Sequence, residues 1–384
     1  MKIVYLWPGG LFNSAGIERV ITNKANYFAE KMGYDVSIVT TEQLGRPVFY
    51  PLSEKVHQCH LDIGIHKNFG KEKYLQKVVS RILKIREYRK AVEKLVHEIS
   101  PDILISTLNL EIEFLDKLRD GSIHLGELHF PGNFRYLMGN KMYKSFIPVL
   151  VEKIRTRMFK SKCKKLTRLI VLTKEEKMYW KDADNVEIIP NSLSCIPEKI
   201  STCSAPKAIA VGRLVFEKGF DQLIESWKIV YKKHPDWTLS IFGGGDQKEN
   251  LLKQITQSGL DGVIEIHDPV KDIQSQFFEH SIMLFPSRYL EALPMVLIEA
   301  MSCGLPLVAF DAPCGPKDII TDGENGFLVP SGNIEQFAEK VCRLIESEEL
   351  RRTMGNAGKQ MSFNYHEDII MKQWIQLFTS LIKT

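Results

Sequence analysis

The sequence predicts an α/β protein built from two doubly wound parallel-sheet domains in tandem, and three observations carry that prediction. Short apolar runs rich in β-branched residues alternate with stretches of helical periodicity along most of the chain. One aperiodic stretch near the middle interrupts the alternation, which then restarts. With 384 residues, 44% of them hydrophobic and 26% charged, the chain can bury two separate cores.

The first strand falls at residues 3–6, followed by Trp7-Pro8-Gly9-Gly10 and a helix whose Ile17, Val20, Ile21, Ala25 and Phe28 recur at the 3.6-residue period until Gly33 ends it. Strand-like runs follow at 36–40, 103–107, 123–129, 169–173 and 186–189, with long helices between several of them. Residues 191–206 hold Ser, Pro, Cys and Lys without any period and read as a linker. Beyond it, strands at 208–211, 238–242, 263–266, 282–285 and 305–310 alternate with helices at 221–233, 248–257, 272–279 and 295–303. The expected domains are therefore 1–190 and 207–365. A last helix over 366–384 has no strand after it and is free to pack back on the first domain. A βα series of this kind takes ligands at the carboxyl ends of its strands, and two in tandem place a cleft between them.

Composition narrows the function classes. Seven scattered cysteines, with no C-x-x-C pair and no metal-ligand spacing, argue against a disulfide framework and for a reducing compartment. The apolar run at residues 3–6 is too short for a signal peptide, and no stretch reaches the roughly 20 apolar residues that cross a bilayer. The reading is a cytoplasmic protein. Net charge is +4, but residues 1–190 carry +10 and residues 191–384 carry −6. Lys67–Lys94 (10 basic, 3 acidic) and Lys141–Arg168 (10 basic, 1 acidic) hold the surplus, with apolar residues interleaved at helical spacing. Either these are solvated helix faces, or they attract the anionic inner face of a membrane.

Chemistry concentrates in two segments of the second half. After Pro294, suited to a helix's first turn, residues 295–301 are apolar on all sides except for Glu299. A carboxylate in such a helix is costly unless it faces a cleft or holds a ligand, and ribose hydroxyls would serve. Glu291 precedes that helix on a loop at a strand's carboxyl end, near free N–H groups suited to a diphosphate. The competing reading leaves Glu291 solvated and pairs Glu299 with an arginine. In the other segment a strand ends at Gly212, and Arg213 and Lys218 follow, five residues apart. Two such cations can neutralise a diphosphate, although two surface cations on a loop would look the same.

Val211-Gly212-Arg213-Leu214 with Glu217-Lys218-Gly219, the Glu291-x7-Glu299 pair and Gly304-Leu305-Pro306-Leu307-Val308 together resemble the signature of the family-4 retaining glycosyltransferases of the GT-B fold. The resemblance implies two Rossmann-like domains facing a cleft, the first binding the acceptor and the second a nucleotide sugar, with UDP the expected nucleotide. It implies that Arg213 and Lys218 bind the donor diphosphate and stabilise the departing nucleotide, that Glu299 holds the ribose and that Glu291 binds a hydroxyl of the transferred sugar. Gly212 and the amides of Leu293, Met295 and Val296 would contact phosphate or sugar, and Val270, in the Asp268-Pro269-Val270 loop, would meet the base through its main chain. In the first half, Ser14-Ala15-Gly16-Ile17-Glu18-Arg19 resembles the family's glycine loop, with Gly16 as the donor contact, and His129 resembles the histidine lining the sugar site. Relatives carry Gly after the first glutamate where this chain has Ala292, which leaves the hexose open.

The implied function is transfer of a hexose or N-acetylhexosamine to a glycan or lipid-linked acceptor in surface polysaccharide synthesis, with no metal, cofactor or nucleic acid. One rival is a catalytically inactive glycan-binding or scaffolding subunit; the four charged residues argue against it. A nicotinamide-dependent dehydrogenase is another, but Gly9-Gly10 followed by Gly16 has the wrong spacing. Asp182-Ala183-Asp184 reads as a turn rather than a metal motif, Gly243-Gly244-Gly245-Asp246 equally as a nucleotide contact or a helix-entry turn, and Asn325-Gly326 as a turn.

Overall fold

The computed structural model describes residues 1–13, 16–64, 74–132, 146–289 and 291–382. Ser14, Ala15, Asn133, Leu290 and the segments 67–73 and 141–145 of the basic stretches lie outside the described residues. The chain divides into two compact units: Met1–Leu172 with Glu176–Ile189 and Met371–Thr384, and Thr173–Glu175 with Pro190–Ile370.

The described residues of the first unit form seven strands: β1 (Lys2–Trp7), β2 (Asp35–Thr40), β3 (Val56–His60), β4 (Ile103–Ser106), β5 (Ile123–Glu127), β6 (Arg168–Val171) and β7 (Val186–Ile188). Every pairing is parallel, in the order β3-β2-β1-β4-β5-β6-β7. The central strands are apolar along their whole length because helices cover both faces of a parallel sheet. Tyr88, Val92 and Val96 of the helix Tyr74–Ile99 recur every four residues and pack into one core with Leu104, Leu108 and Leu169.

The second unit repeats the plan with β8 (Lys207–Val211), β9 (Thr238–Phe242), β10 (Ile264–His267), β11 (Ile282–Phe285), β12 (Leu307–Phe310) and β13 (Gly326–Val329), ordered β10-β9-β8-β11-β12-β13 and all parallel. The helix Phe220–Lys233 buries Leu223, Ile224, Trp227 and Val230, the stripe its periodicity demands. In both sheets the chain winds outward from the first strand in one direction and then in the other. The switch points lie between β1 and β4 and between β8 and β11.

Four details depart from the sequence reading. Strand β3 is an edge strand in which only Val56 is buried, so its His and Gln residues hide the strand signal. Asn325 does end a turn, but Gly326 opens β13 opposite Leu307, a strand the sequence reading lacks, and the buried Asn325 side chain donates to Ile319 O (3.0 Å) and accepts from Thr321 N (2.9 Å). Strand β5 stops at Glu127, so His129 follows the strand instead of ending it. Residues 191–206 are counted with the second unit, where Ser201 N donates to Cys303 O at 2.8 Å and Cys203 is buried.

The closing helix spans Glu367–Ile382, and its residues from Met371 onward belong to the first unit. Phe378 meets Phe28 at 5.4 Å between ring centroids. All seven cysteines are free thiols. No described helix is long and apolar enough to cross a membrane.

Candidate active site

The loops leaving β8 and β11 at their carboxyl ends flank the switch point of the second sheet, and they bring Lys218 and Glu291 together. Lys218 Nζ lies 2.5 Å from Glu291 Oε1, and Ser287 Oγ donates to the same oxygen. Glu291 is 5% exposed, which overturns the reading of a solvated carboxylate. Lys218 takes its place because Gly219 turns the chain with φ +69° and lies so close to the β11 loop that an added Cβ would sit 2.1 Å from Pro286 O. Arg288 then ties the two loops together. Its guanidinium grips both carboxylate oxygens of Asp221 and donates to Phe216 O (2.7 Å), while its N–H donates to Glu217 O (2.9 Å).

Arg213 stands exposed two residues after β8, next to Gly212. Glu299 lies in the short helix Met295–Ser302, buried together with Leu297, Ile298, Ala300 and Met301. Pro294 precedes that helix, and Met295 and Val296 begin it, where backbone N–H groups have no intrahelical acceptor. Leu293 is buried beside Pro294, and Val270 is exposed on the loop leaving β10. Thus Gly212, Arg213, Lys218, Val270, Glu291, Leu293, Met295, Val296 and Glu299 all occupy the carboxyl-end rim of one sheet. This arrangement suits an elongated anionic ligand with hydroxyls at one end.

Gly16 and His129 occupy the corresponding rim of the first sheet. Gly16 opens the helix Gly16–Glu30, and a Cβ added there would meet no atom within 4 Å, so packing does not require glycine at this position. His129 Nε2 lies 2.8 Å from Glu127 Oε2, and the same oxygen takes the Lys24 ammonium. Burial alone would raise the Glu127 carboxyl; Lys24 and the hydrogen bond from His129 outweigh it and hold it at about 2. Burial pulls Lys24 down and Glu127 opposes it. Lys24 also lies 4.7 Å from the centre of the Trp374 ring. An ionised Glu127 keeps a proton on His129 Nε2 and leaves Nδ1 for another partner.

Beside β1 a cavity of about 440 Å³ is lined by Trp7, Phe12, Asn13, Glu18, Arg46 and Asn109 among others. Glu18 is 4% exposed, and its Oε2 has no hydrogen-bond partner among the described residues. Burial pushes its carboxyl up, against hydrogen bonds from its own backbone and from Asn13. Rings flanked by amide and carboxyl groups suit a hydroxyl-bearing ligand.

Asp182 sits in a turn, bound to Lys160 (2.7 Å) and Lys164 (2.6 Å). Among the described residues no group of three His, Cys, Asp or Glu side chains is placed to hold a metal ion.

Residues 201–361 match the model of the family described as Glycosyl transferases group 1. They form a group 1 glycosyltransferase domain. This glycosyltransferase domain contains Arg213, Lys218, Glu291 and Glu299, whereas Gly16 and His129 lie outside the matched span. An uncharacterized glycosyltransferase of Haemophilus influenzae is 29% identical over 97% of this chain and 99% of its own length. The amylovoran biosynthesis glycosyltransferase AmsD of Erwinia amylovora is 35% identical over 54% of this chain, and the match covers 60% of AmsD. A solved structure of a Staphylococcus aureus TarM mutant, in complex with fondaparinux, alpha-GlcNAc-glycerol and UDP, matches with a TM-score of 0.77 at 17% identity, over 98% of this chain and 99% of that one. The glycosyltransferase fold is GT-B.

Sequence reasoning missed Arg288, Asp221, Lys24, Glu127 and Glu18. Two of them carried a signal: Lys24 falls on the apolar face of its helix, four residues from Val20 and Phe28, and Glu127 ends an otherwise buried run. Nothing in the spacing of Asp221 and Arg288, 67 residues apart, announces their pairing.

Proposed function

We propose that this protein is a retaining, metal-independent family-4 enzyme that transfers a hexose or N-acetylhexosamine from a UDP-sugar to a glycan or lipid-linked acceptor in bacterial surface polysaccharide synthesis. The observation that carries the reading is the Lys218–Glu291 pair beside the switch point of the second sheet, with Arg213, Glu299 and a helix N-terminus carried by the segments that follow the same two strands. Amylovoran synthesis in the name of one relative and the UDP of the TarM complex support the pathway class and the nucleotide.

On this reading the diphosphate lies against Arg213, Lys218 and the amides of Met295 and Val296. Lys218 has three N–H donors, so it can keep Glu291 and still reach a phosphate oxygen. Glu299 accepts from the ribose hydroxyls, and Glu291 from a hydroxyl of the sugar. The bond between the anomeric carbon and the diphosphate oxygen breaks, and its electron pair leaves with UDP, whose charge the two cations stabilise. The acceptor oxygen bonds the same face of the sugar, and its proton passes to the departing diphosphate oxygen. His129, held by Glu127, orients groups at the sugar. The cavity beside β1 would take part of the acceptor, and the basic surplus of the first unit supports a reaction at the inner face of a membrane.

The test is nucleotide release from a panel of nucleotide sugars in the presence of membrane extract. UDP-sugars are expected to turn over, and Arg213→Ala and Glu299→Ala each to lower release at least tenfold, in line with the loss of about 1.4 kcal/mol or more from one charge-assisted contact. No release from any donor, together with no nucleotide binding by calorimetry, would sink the enzymatic reading.

A further inference from the structure

The helix Phe146–Cys163 carries two apolar stripes. One faces the core, where Thr156, Phe159 and Cys163 are buried. The other faces solvent: Leu150, Val151, Ile154 and Met158 are 41 to 55% exposed. At 100° per residue these four side chains cover one continuous arc of the outer face. Exposed Lys153 and Arg157 lie along one edge of that arc and exposed Arg155 along the other. The helix Tyr74–Ile99 repeats the pattern. Tyr88, Val92 and Val96 face the core, while Val79, Ile82 and Leu83 are 46 to 57% exposed on the opposite side, in line with exposed Arg86 and Lys90. Seven large apolar side chains on two helices of one unit are thus turned to solvent and edged by cations. Exposed apolar stripes of this kind mark interaction surfaces.

The ion pairs locate the surface more closely than charge counting does. The cations nearer the carboxyl end of the first helix are occupied: Lys160 and Lys164 bind Asp182, Lys162 binds Glu113, and Lys165 binds Asp116. Within the stripe Arg155 is also paired, with Glu152 at 2.6 Å, so the cationic character of this helix toward solvent lies with Lys153 and Arg157 along one edge of the apolar arc.

We propose that the outward stripe Leu150, Val151, Ile154 and Met158, with its counterpart Val79, Ile82 and Leu83, inserts into the interface of an anionic lipid bilayer while Lys153, Arg157, Arg86 and Lys90 meet the headgroups. The inference rests on the lipid-facing part of the function proposed above and names the surface that performs it. Charge complementarity selects this occupant: a helix lying in a bilayer interface buries its apolar face at acyl depth and sets basic residues at headgroup level. A second copy of the chain would bring the same cations against each other.

Flotation of the full-length protein with vesicles of phosphatidylcholine alone, or of phosphatidylcholine with phosphatidylglycerol, tests the surface without requiring catalysis. The wild type is expected to float with the anionic vesicles only. Ile154→Glu, and separately Leu83→Glu on the other helix, are expected to lower the bound fraction at least tenfold, with unchanged melting and unchanged nucleotide release from the donor when the acceptor is water-soluble. Wild-type flotation by both variants, or equal negligible flotation with both vesicle types, would overturn the inference. So would sedimentation showing a dimer that Ile154→Glu dissociates. Should the stripe bind vesicles while lipid-linked and soluble acceptors turn over equally well, the surface stands and the lipid-linked acceptor falls.

Discussion

Gly219 is the residue on which the placement of Lys218 depends. Its φ of +69° costs a residue with a Cβ about 1–2 kcal/mol, and the 2.1 Å approach to Pro286 O forces the backbone apart as well. Gly219→Ala is therefore expected to destabilise the second unit by more than about 2 kcal/mol and to reduce nucleotide release, read by urea denaturation and by turnover. Glu111 offers a different test at this scale. It is fully buried, bonded by Tyr88 Oη and Asn109 N, and burial pushes its carboxyl up to about 8. Below about pH 4.5 both folded and unfolded chains hold this proton. Between about 4.5 and 8 only the folded chain does, so stability falls as pH rises, by up to about 1.4 kcal/mol per unit. In Glu111→Gln that decline should disappear, and denaturation midpoints at pH 5, 6, 7 and 8 should show the variant gaining on the wild type. A variant that keeps the wild-type slope would refute the assignment.

Between elements, contacts remote in sequence place the functional loops. The Arg288–Asp221 pair joins the loop after β11 to the helix after β8, and Arg288 reaches Phe216 O as well. Arg288→Met is expected to loosen the loop that carries Lys218, raising the donor KM more than it lowers overall stability, as turnover measured alongside thermal melting will show. The closing helix poses an element-scale question in the first unit. Phe378 is completely buried against Phe28, and Trp374 covers the Lys24 ammonium. Phe378→Ala should cost about 3–5 kcal/mol, because the cavity it leaves opens between two helices. Hydrogen exchange should quicken in Gly16–Glu30 and in Glu367–Ile382 while Phe220–Lys233, in the other unit, keeps its protection.

At the scale of the whole molecule, ligand linkage and charge asymmetry are the accessible readouts. If the rim of the second sheet binds UDP, nucleotide at 100 times its Kd should stabilise the protein by about 2.7 kcal/mol, with exchange protection centred on the loops after β8 and β11. Arg213→Ala should abolish that shift at the same nucleotide concentration. The charge difference, +10 in residues 1–190 against −6 in the remainder, gives a surface attraction that weakens with salt.

The sequence by itself determined the α/β class, the two parallel sheets and most of their strands, because buried parallel strands must be apolar throughout and their helices must carry one apolar stripe. The resemblance of their motifs to the family-4 signature marked Arg213, Lys218, Glu291 and Glu299, and Glu299 also stood out physically as a carboxylate within an apolar helix. Strands β3 and β13 were not legible: one is a polar edge, and the other begins at a glycine that packing, not turn chemistry, requires. Only the tertiary structure joined Lys218 to Glu291, Arg288 to Asp221 and Lys24 to Glu127, partners 73, 67 and 103 residues apart. It alone decided which face of the helix Phe146–Cys163 is covered. Local periodicity records that a helix has an apolar side, but the choice between core and solvent for each of two apolar stripes depends on what the rest of the chain brings against them.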